Sequence, residues 1–318
     1  MDAAERRPHL VLAIGVLAVS SAAIWVRLSA LPPSVLAFYR LFFSALGLAP
    51  VLLVARRSRS EPRPGAGVGK AGRDWVGWAA LAGASLAAHW AVWFASLART
   101  SVLSSTVLVT TQPVWVVLLA RALWGERLGR GRAAALAVAL AGSATVAVAD
   151  GLRQAGAPAA GPPHSLGGDG LALLAAVLVS VYLLVGQRLR ARVPLAEYLA
   201  VVYAAGAAVL LAVNLLLGQP VWGWPGRELA IALGLAVVPT LVGHSALNLV
   251  IARLGAATVA TAILGEPVGA SLLALLLFGE VPGILHGAGA ALVLAGIYRF
   301  TAPARPAARG EGEVHAAS

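Results

Sequence analysis

The segment Ile263-Leu264-Gly265-Glu266-Pro267-Val268-Gly269-Ala270 places an acidic residue next to a proline inside an apolar run. That run extends from Ala256 to Phe278, and a helix that spans a bilayer needs about 20 mostly apolar residues. A charged side chain at the centre of such a helix costs about 2.5–3.5 kcal/mol on insertion scales, so it generally faces a cavity or a partner. The segment therefore predicts a spanning helix with a buried carboxyl group near its middle.

Pro267 adds a second feature to this helix. It has no backbone N–H to donate to the carbonyl four residues back, so we predict a helix break at this point. A carboxyl group beside a break at mid-membrane is typical of an intramembrane binding or proton site. The alternative is that Glu266 is held in the bundle by one structural hydrogen bond.

The composition is that of a membrane protein with several spans. The chain is 59% hydrophobic and 12% charged, whereas soluble domains carry about 25% charged residues. Its net charge is +11, but the basic residues lie in short tracts between apolar runs, which argues against a nucleic-acid partner. The chain has no cysteine, which excludes disulfides, thiolate sites and cysteine metal sites. We expect neither a metal nor a cofactor.

Hydropathy predicts an all-α polytopic fold with ten spans. Their approximate positions are 10–29, 34–55, 74–96, 102–120, 133–149, 170–187, 196–217, 228–249, 256–278 and 283–300. Residues 1–24 resemble a signal peptide, with Arg6 and Arg7 before an apolar stretch. Because many spans follow, we interpret this stretch as a retained first helix.

The basic residues predict the orientation in the cell membrane. With both termini in the cytoplasm, 19 of the 24 Lys and Arg residues lie on the cytoplasmic side, as the positive-inside rule expects. Four lie outside, and Arg40 lies within a span.

The two halves of the chain align at a shift of 154 residues. This shift pairs Gln112-Pro113 with Glu266-Pro267, and Gly125-Glu126 with Gly279-Glu280. Each half contains five spans, and an odd number inserts the second half upside down, which is a transporter architecture. We therefore predict a first repeat at 1–150, a linker at 151–168, a second repeat at 169–301 and a disordered tail at 302–318.

This pattern resembles the drug/metabolite transporter superfamily, in particular its EamA-type members, over about residues 10–300. Arg40 in span 2 fits the family pattern. The segments that carry the resemblance in the second repeat are Ala256-Ala257-Thr258, Glu266-Pro267, Phe278-Gly279-Glu280, Gly287, Gly289 and Gly296. Span 1 departs from the family's Trp-Gly start, because Ser20-Ser21-Ala22-Ala23 stand there and Trp25 comes later.

The resemblance implies a protein that exports or takes up small metabolites, often amino acids. It also implies a central cavity lined mainly by spans 1, 3, 4, 6, 8 and 9, with no ATPase and no cofactor. Span 2 is not among these walls, so we interpret Arg40 as a structural residue.

Several polar residues within the spans are candidates for substrate binding or coupling, and each has a structural alternative. His244 and Asn248 lie one helical turn apart on span 8, and His89 lies in the equivalent span 3. A buried histidine can relay protons or bind a carboxylate, or it can make one interhelical hydrogen bond. The full set of candidates is Glu266, His244, Asn248, Gln112, His89, Trp90 and Tyr182, with helix breaks at Pro113 and Pro267.

The remaining polar and aromatic residues also have both a functional and a structural interpretation. Trp90 and Tyr182 can line a cavity or simply pack, and Gln112 can bind substrate or brace the break at Pro113. Glu126 and Glu280, at the ends of spans 4 and 9, are interpreted as ordinary interfacial carboxylates.

We therefore predict a secondary transporter of small metabolites, an exporter in the first instance. Desolvation disfavours the charged form of a carboxyl group, so Glu266 is a candidate for proton coupling. A passive facilitator is the rival interpretation. A flippase for a lipid-linked substrate and an intramembrane enzyme are the alternative functions. The interpretation as an intramembrane enzyme lacks support, because the sequence has no His-Glu-x-x-His motif and no paired Asp at mid-membrane. The oligomeric state is not predicted.

Overall fold

The computed structural model describes residues 3–58, 74–100, 102–154, 165–279 and 281–302, and these form helices joined by short turns. The α-helices are Ala3–Ser20, Ala22–Leu28, Pro33–Ser58, Asp74–Leu97, Val102–Val109, Gln112–Trp124, Arg130–Gln154, Leu166–Arg190, Leu195–Leu216, Gly226–Leu235, Ser245–Leu254, Ala256–Ile263, Glu266–Phe278 and Ile284–Thr301. Residues Ala236–His244 form a π-helix. Most of the predicted linker and nearly all of the predicted tail lie outside the described residues.

Within the described residues, ten helical stretches are long and apolar enough to cross a membrane, which confirms the predicted all-α architecture. We number them as spans 1 to 10 in chain order. They are Arg7–Leu28, Pro33–Val54, Asp74–Leu97, Ser104–Trp124, Arg130–Ala149, Leu166–Arg190, Leu195–Leu216, Gly226–Leu254, Ala256–Phe278 and Ile284–Thr301.

The helices of spans 4 and 9 begin and end at equivalent positions. Helices Val102–Val109 and Gln112–Trp124 contain span 4, and the helices of span 9 begin and end 154 positions later. Both spans end on a glycine in the left-handed region, with φ of 70° at Gly125 and 68° at Gly279. A glycine favours this conformation because it has no Cβ to clash with the preceding turn.

The packing of the spans has the symmetry of an inverted repeat. Span 3 packs on span 6, and its counterpart span 8 packs on span 1. Span 4 contacts span 6, as span 9 contacts span 1. Spans 2 and 7 pack against each other, and so do spans 5 and 10. These main contacts of the first repeat thus have counterparts in the second.

Small residues bring spans 5 and 10 close together. A Cβ atom at Gly142 or Gly289 would clash with the backbone of the other helix, and one at Gly296 would clash with Ala139. Small residues allow such approach where lipid tails provide no hydrophobic drive for association. Gly287, which the sequence groups with these glycines, has no atom near its Cβ position and does not contribute.

Two spans carry irregularities that hydropathy does not predict. Span 1 is interrupted at Ser21, where the hydroxyls of Ser20 and Ser21 bond back to the carbonyls of Val16 and Ala18 at 2.8 and 2.6 Å. Such bonds to the preceding turn bend helices. Span 8 widens into the π-helix that contains Pro239.

Candidate functional site

The helix breaks of spans 4 and 9 lie at equivalent points. Span 9 is interrupted at residues 264–265 and span 4 at residues 110–111. The following helices begin with Glu266-Pro267 and Gln112-Pro113, respectively. Proline is tolerated at the start of a helix, where its missing N–H would have no intrahelical partner. Glu266 and Gln112 therefore occupy the amino-terminal ends of two half-helices, one from each repeat.

Glu266 faces protein rather than lipid. It lies deep within the bundle and within electrostatic reach of Arg40, yet it keeps part of its surface accessible. Among the described residues its side chain has no hydrogen-bond partner, so the structural bond of the alternative interpretation is not observed. The carboxyl group is therefore available to a ligand or a proton.

Four of the other candidates form one aromatic and polar cluster. The rings of Trp90 and His244 meet edge to face at 6.5 Å, and those of Tyr182 and His244 are 6.4 Å apart. The amide nitrogen of Asn248 donates to the Tyr182 hydroxyl at 2.6 Å and to the His244 carbonyl at 2.8 Å. Spans 3, 6 and 8 thus bring Trp90, Tyr182, His244 and Asn248 together, and we call these four the central cluster.

The central cluster has hydrogen-bonding capacity to spare. His244 Nδ1 and Asn248 Oδ1 are both buried and have no hydrogen-bond partner among the described residues. Buried polar atoms of native proteins are nearly always paired, and an unpaired one costs about 1–3 kcal/mol. These two atoms therefore point to a bound molecule or water as their partner.

Arg40 belongs to this region, although the sequence favoured a place outside it. Its guanidinium lies over the ring of Trp90, 4.4 Å from the ring centre. Its Nε donates to the hydroxyl of Thr240 at 2.6 Å, and its Nη2 is buried without a partner in the described part of the chain. The electrostatic field of Arg40 reaches His89, His244, Tyr182, Tyr203 and Glu266.

The π-helix of span 8 explains the position of Thr240. Pro239 has no N–H to donate to the Leu235 carbonyl four residues earlier. That carbonyl accepts instead from the Thr240 hydroxyl at 3.1 Å, and the same hydroxyl accepts from Arg40 Nε. π-Helical turns occur frequently at functional sites. Pro239 within an apolar span was the available sequence signal for this irregularity.

The two remaining candidates lie in different environments. His89 Nδ1 is 2.8 Å from the carbonyl oxygen of Ala175, and the ring stacks on Trp93 at 6.2 Å, an arrangement that joins spans 3 and 6. Gln112 is buried, and its backbone carbonyl accepts from the Ser180 hydroxyl at 3.0 Å. His89 thus makes the interhelical contact of its structural alternative, and neither residue touches the central cluster through these contacts.

Arginines lie over aromatic rings at the ends of two equivalent helix pairs, which are spans 6 and 4 and spans 1 and 9. Arg188 of span 6 lies 3.9 Å from the centre of the Trp124 ring and pairs with Glu126 at 3.1 Å. Arg27 of span 1 lies over Phe278, the counterpart of Trp124 in span 9. Glu126 and Arg188 are about half exposed, with side-chain exposures of 48% and 44%, so their ion pair adds little stability. Glu280 lies outside the described residues.

Asp169, at the start of span 6, has a structural role, because its carboxylate is held by hydrogen bonds. Asp169 accepts hydrogen bonds from Thr100 at 2.9 Å and from Ser104 at 2.6 Å. These bonds join the start of span 6 to the turn after span 3 and to the start of span 4. Within the described part of the chain, no group of three or more His, Asp and Glu side chains could hold a metal ion.

Two inverted repeats, helices broken at equivalent points and a polar cluster between the spans define a polytopic membrane protein of secondary-transporter architecture. The sequence profile of the EamA-like transporter family matches residues 7–148 and 166–301, and the chain belongs to this family.

The individual proteins that are similar to the chain include the following two. A protein of Streptantibioticus cattleyicolor, named "Probable terminal-alkyne amino-acid exporter", is 31% identical over 197 residues. The match covers 61% of this chain and 62% of that relative. A protein known from its crystal structure has a TM-score of 0.74 at 21% identity, over 93% of this chain and 98% of its own. This second similarity supports the fold alone.

Proposed function

We propose that the chain is a secondary transporter that exports small amino-acid-like metabolites. The observation that carries the proposal is the arrangement of Glu266, His244 and Asn248. These residues lie deep in the bundle and offer an imidazole nitrogen, an amide oxygen and a carboxyl group that has no hydrogen-bond partner within the described ranges. A lipid-facing surface does not need such groups, whereas a polar solute that crosses the bilayer does.

The substrate class follows from the same groups. The acidic Glu266 and the acceptor atoms of His244 and Asn248 suit a solute that carries an ammonium group. Trp90 and Tyr182 supply apolar faces for a small side chain, as is usual for ligand pockets. The name of the relative from Streptantibioticus cattleyicolor supports both amino acids as substrates and export as the direction.

Proton coupling through Glu266 is part of the proposal. A carboxyl group exposed to each side in turn can carry a proton inward as the substrate leaves. The field of Arg40 acts on Glu266, so any change in the protonation of Glu266 occurs within the reach of a fixed positive charge. Gln112 occupies the equivalent position of the first repeat and cannot titrate, so the coupling assigned here is asymmetric.

The proposed setting is the cell membrane, with both termini in the cytoplasm and the repeats at 1–150 and 169–301. The support is the distribution of the basic residues. In this orientation 19 of the 24 Lys and Arg residues lie on the cytoplasmic side, as the positive-inside rule expects. In this orientation, Arg188 and Glu126 lie at the cytoplasmic mouth, and Arg27 and Phe278 lie at the outer one.

Flux into liposomes that contain the purified protein tests the function. Radiolabelled amino acids, among them L-propargylglycine as a terminal-alkyne amino acid, should enter protein-containing liposomes faster than protein-free ones. Movement of a fluorescent phospholipid without solute flux would favour a flippase. If neither solute nor lipid moved, the proposal would be wrong.

A further inference from the structure

Arg40 is a cation in the interior with part of its hydrogen-bonding capacity unused. Only 8% of its surface is accessible, and no residue that the structure describes bonds to its Nη2. We propose that Arg40 is the anchor for the carboxylate group of the transported solute. The inference rests on the proposed function, because it names the charged group by which that site recognises its substrate.

The charges around Arg40 leave it in need of an anion. Among the described residues, no carboxylate lies within ion-pair distance of its guanidinium; Glu266 acts on it only through its longer-range field. The other groups in reach are two histidines and two tyrosines, none of which is an anion in its ordinary state. A buried charge without a close counter-charge is unfavourable, and a bound carboxylate removes that penalty.

The geometry of the guanidinium suits a carboxylate. Thr240 holds Nε, and one face of the planar group lies on Trp90. The edge formed by the two terminal nitrogens therefore remains available to a ligand. Such an edge can bind a carboxylate through two parallel hydrogen bonds. Thr240 is the positioning residue, because its hydroxyl is fixed in turn by the Leu235 carbonyl that Pro239 cannot use.

Arg40 and Glu266 together favour a zwitterion over other anions. Each lies in the field of the other, so a ligand between them meets a cation on one side and an acidic group on the other. An α-amino acid matches both groups. A phosphate headgroup carries more negative charge and would be repelled by an ionised Glu266, so we assign the anchor to a carboxylate.

Four matched probes separate the contribution of each charge. L-Propargylglycine carries both charged groups, but-3-yn-1-amine lacks the carboxylate, and pent-4-ynoic acid lacks the ammonium group. A short-chain phosphatidic acid represents a lipid headgroup. If a broader panel of α-amino acids includes a tighter ligand, its own amine and acid replace the first set. Affinity is measured by isothermal titration with the purified full-length chain.

The wild type should bind the amino acid more tightly than the amine. Arg40→Gln should weaken binding of the amino acid roughly a hundredfold, the size expected when one partner of a buried charge pair is removed. Binding of the amine should change little. Arg40→Lys, which keeps the charge but loses the planar fork, should give a smaller loss. The quantity compared between variants is the ratio of the affinity for the amino acid to the affinity for the amine. Both affinities are measured on one sample, so a partly unfolded preparation does not change their ratio.

Two controls separate anchoring from general structure. Arg132→Gln removes another arginine that lies over an aromatic ring, that of Phe300 on span 10, and should leave the affinity ratio unchanged. Thr240→Val should lower the ratio, whereas Thr240→Ser, which retains the hydroxyl, should preserve it.

Three results would overturn the inference: equal loss of amino acid and amine in Arg40→Gln, tighter binding of the lipid than of any carboxylate probe, or no binding of any carboxylate probe by the wild type. A wild type that transports amines but binds no carboxylate would refute the anchor and leave the transport function intact. Carboxylate binding that depends on Arg40 without any flux would support the anchor and refute the transporter.

Discussion

Replacement of Glu266 by glutamine is the most informative test of the proposed proton coupling. The change keeps the size and shape of the side chain and removes its ability to exchange a proton. The natural sequence tolerates glutamine at the equivalent position of the other repeat, since Gln112 begins the matching half-helix. Glu266 also has no hydrogen-bond partner among the described residues, so the substitution breaks no such bond. We therefore expect Glu266→Gln to fold and to bind substrate.

The magnitude of the effect follows from the number of carboxyl groups at the site. Glu266 is the acidic side chain that interacts with Arg40 there, so the proposed coupling predicts the exchange of one proton per substrate. At a pH difference of one unit, one proton supplies about 1.4 kcal/mol, which corresponds to an approximately tenfold substrate gradient. Without the titrating group, substrate should equilibrate to equal concentrations on both sides.

The assay uses liposomes whose interior is one pH unit more acidic than the bath, with the membrane potential held at zero by potassium and valinomycin. The wild type should accumulate labelled amino acid to about ten times the external concentration. Glu266→Gln should stop at equal concentrations while still exchanging preloaded substrate. Glu197→Gln, at a partly exposed position near the start of span 7, should behave as the wild type. Accumulation by Glu266→Gln at the wild-type level would refute the coupling role of Glu266.

Two further predictions concern packing and orientation. Gly289→Leu should place a side chain into the backbone of span 5 and destabilise the protein by about 1–3 kcal/mol, seen as a lower thermal midpoint, whereas Gly287→Leu should leave the midpoint nearly unchanged; equal effects would contradict the observed packing. Because the wild type has no cysteine, Leu217→Cys should be labelled by an impermeant maleimide in intact cells and Arg127→Cys only after lysis, and the opposite pattern would invert the proposed topology.

The ten spans and their inverted relationship could be predicted from the sequence, because both depend on local composition. Runs of apolar residues report spans, and an odd number of spans per repeat inverts the second half. The pairing of Gln112-Pro113 with Glu266-Pro267 also marked the region where the two equivalent helices are interrupted. Helix ends were less predictable, since the helix of span 5 continues to Gln154, beyond the apolar stretch that defines it.

Tertiary structure decided which polar residues meet. His89 and His244 occupy corresponding regions of spans 3 and 8 and look alike in sequence, but His89 contacts a backbone carbonyl whereas His244 lies between Trp90 and Tyr182. Which face of each helix points inward depends on rotation about its axis, and that is set by packing against neighbouring helices rather than by apolar content.

Arg40 shows most clearly the difference between what the sequence predicts and what the tertiary structure decides. Its sequence position, two turns into an apolar span, is compatible with a side chain that reaches the membrane surface or one that turns inward. The inward position depends on Thr240, which lies 200 residues away and reaches it through a π-helix that Pro239 favours. The sequence by itself thus determined the spans, their inversion and the equivalent positions of Gln112 and Glu266, because these follow from short-range patterns. Only the folded bundle decided that Arg40, Trp90 and His244 surround one point, because that depends on contacts between residues distant in the chain.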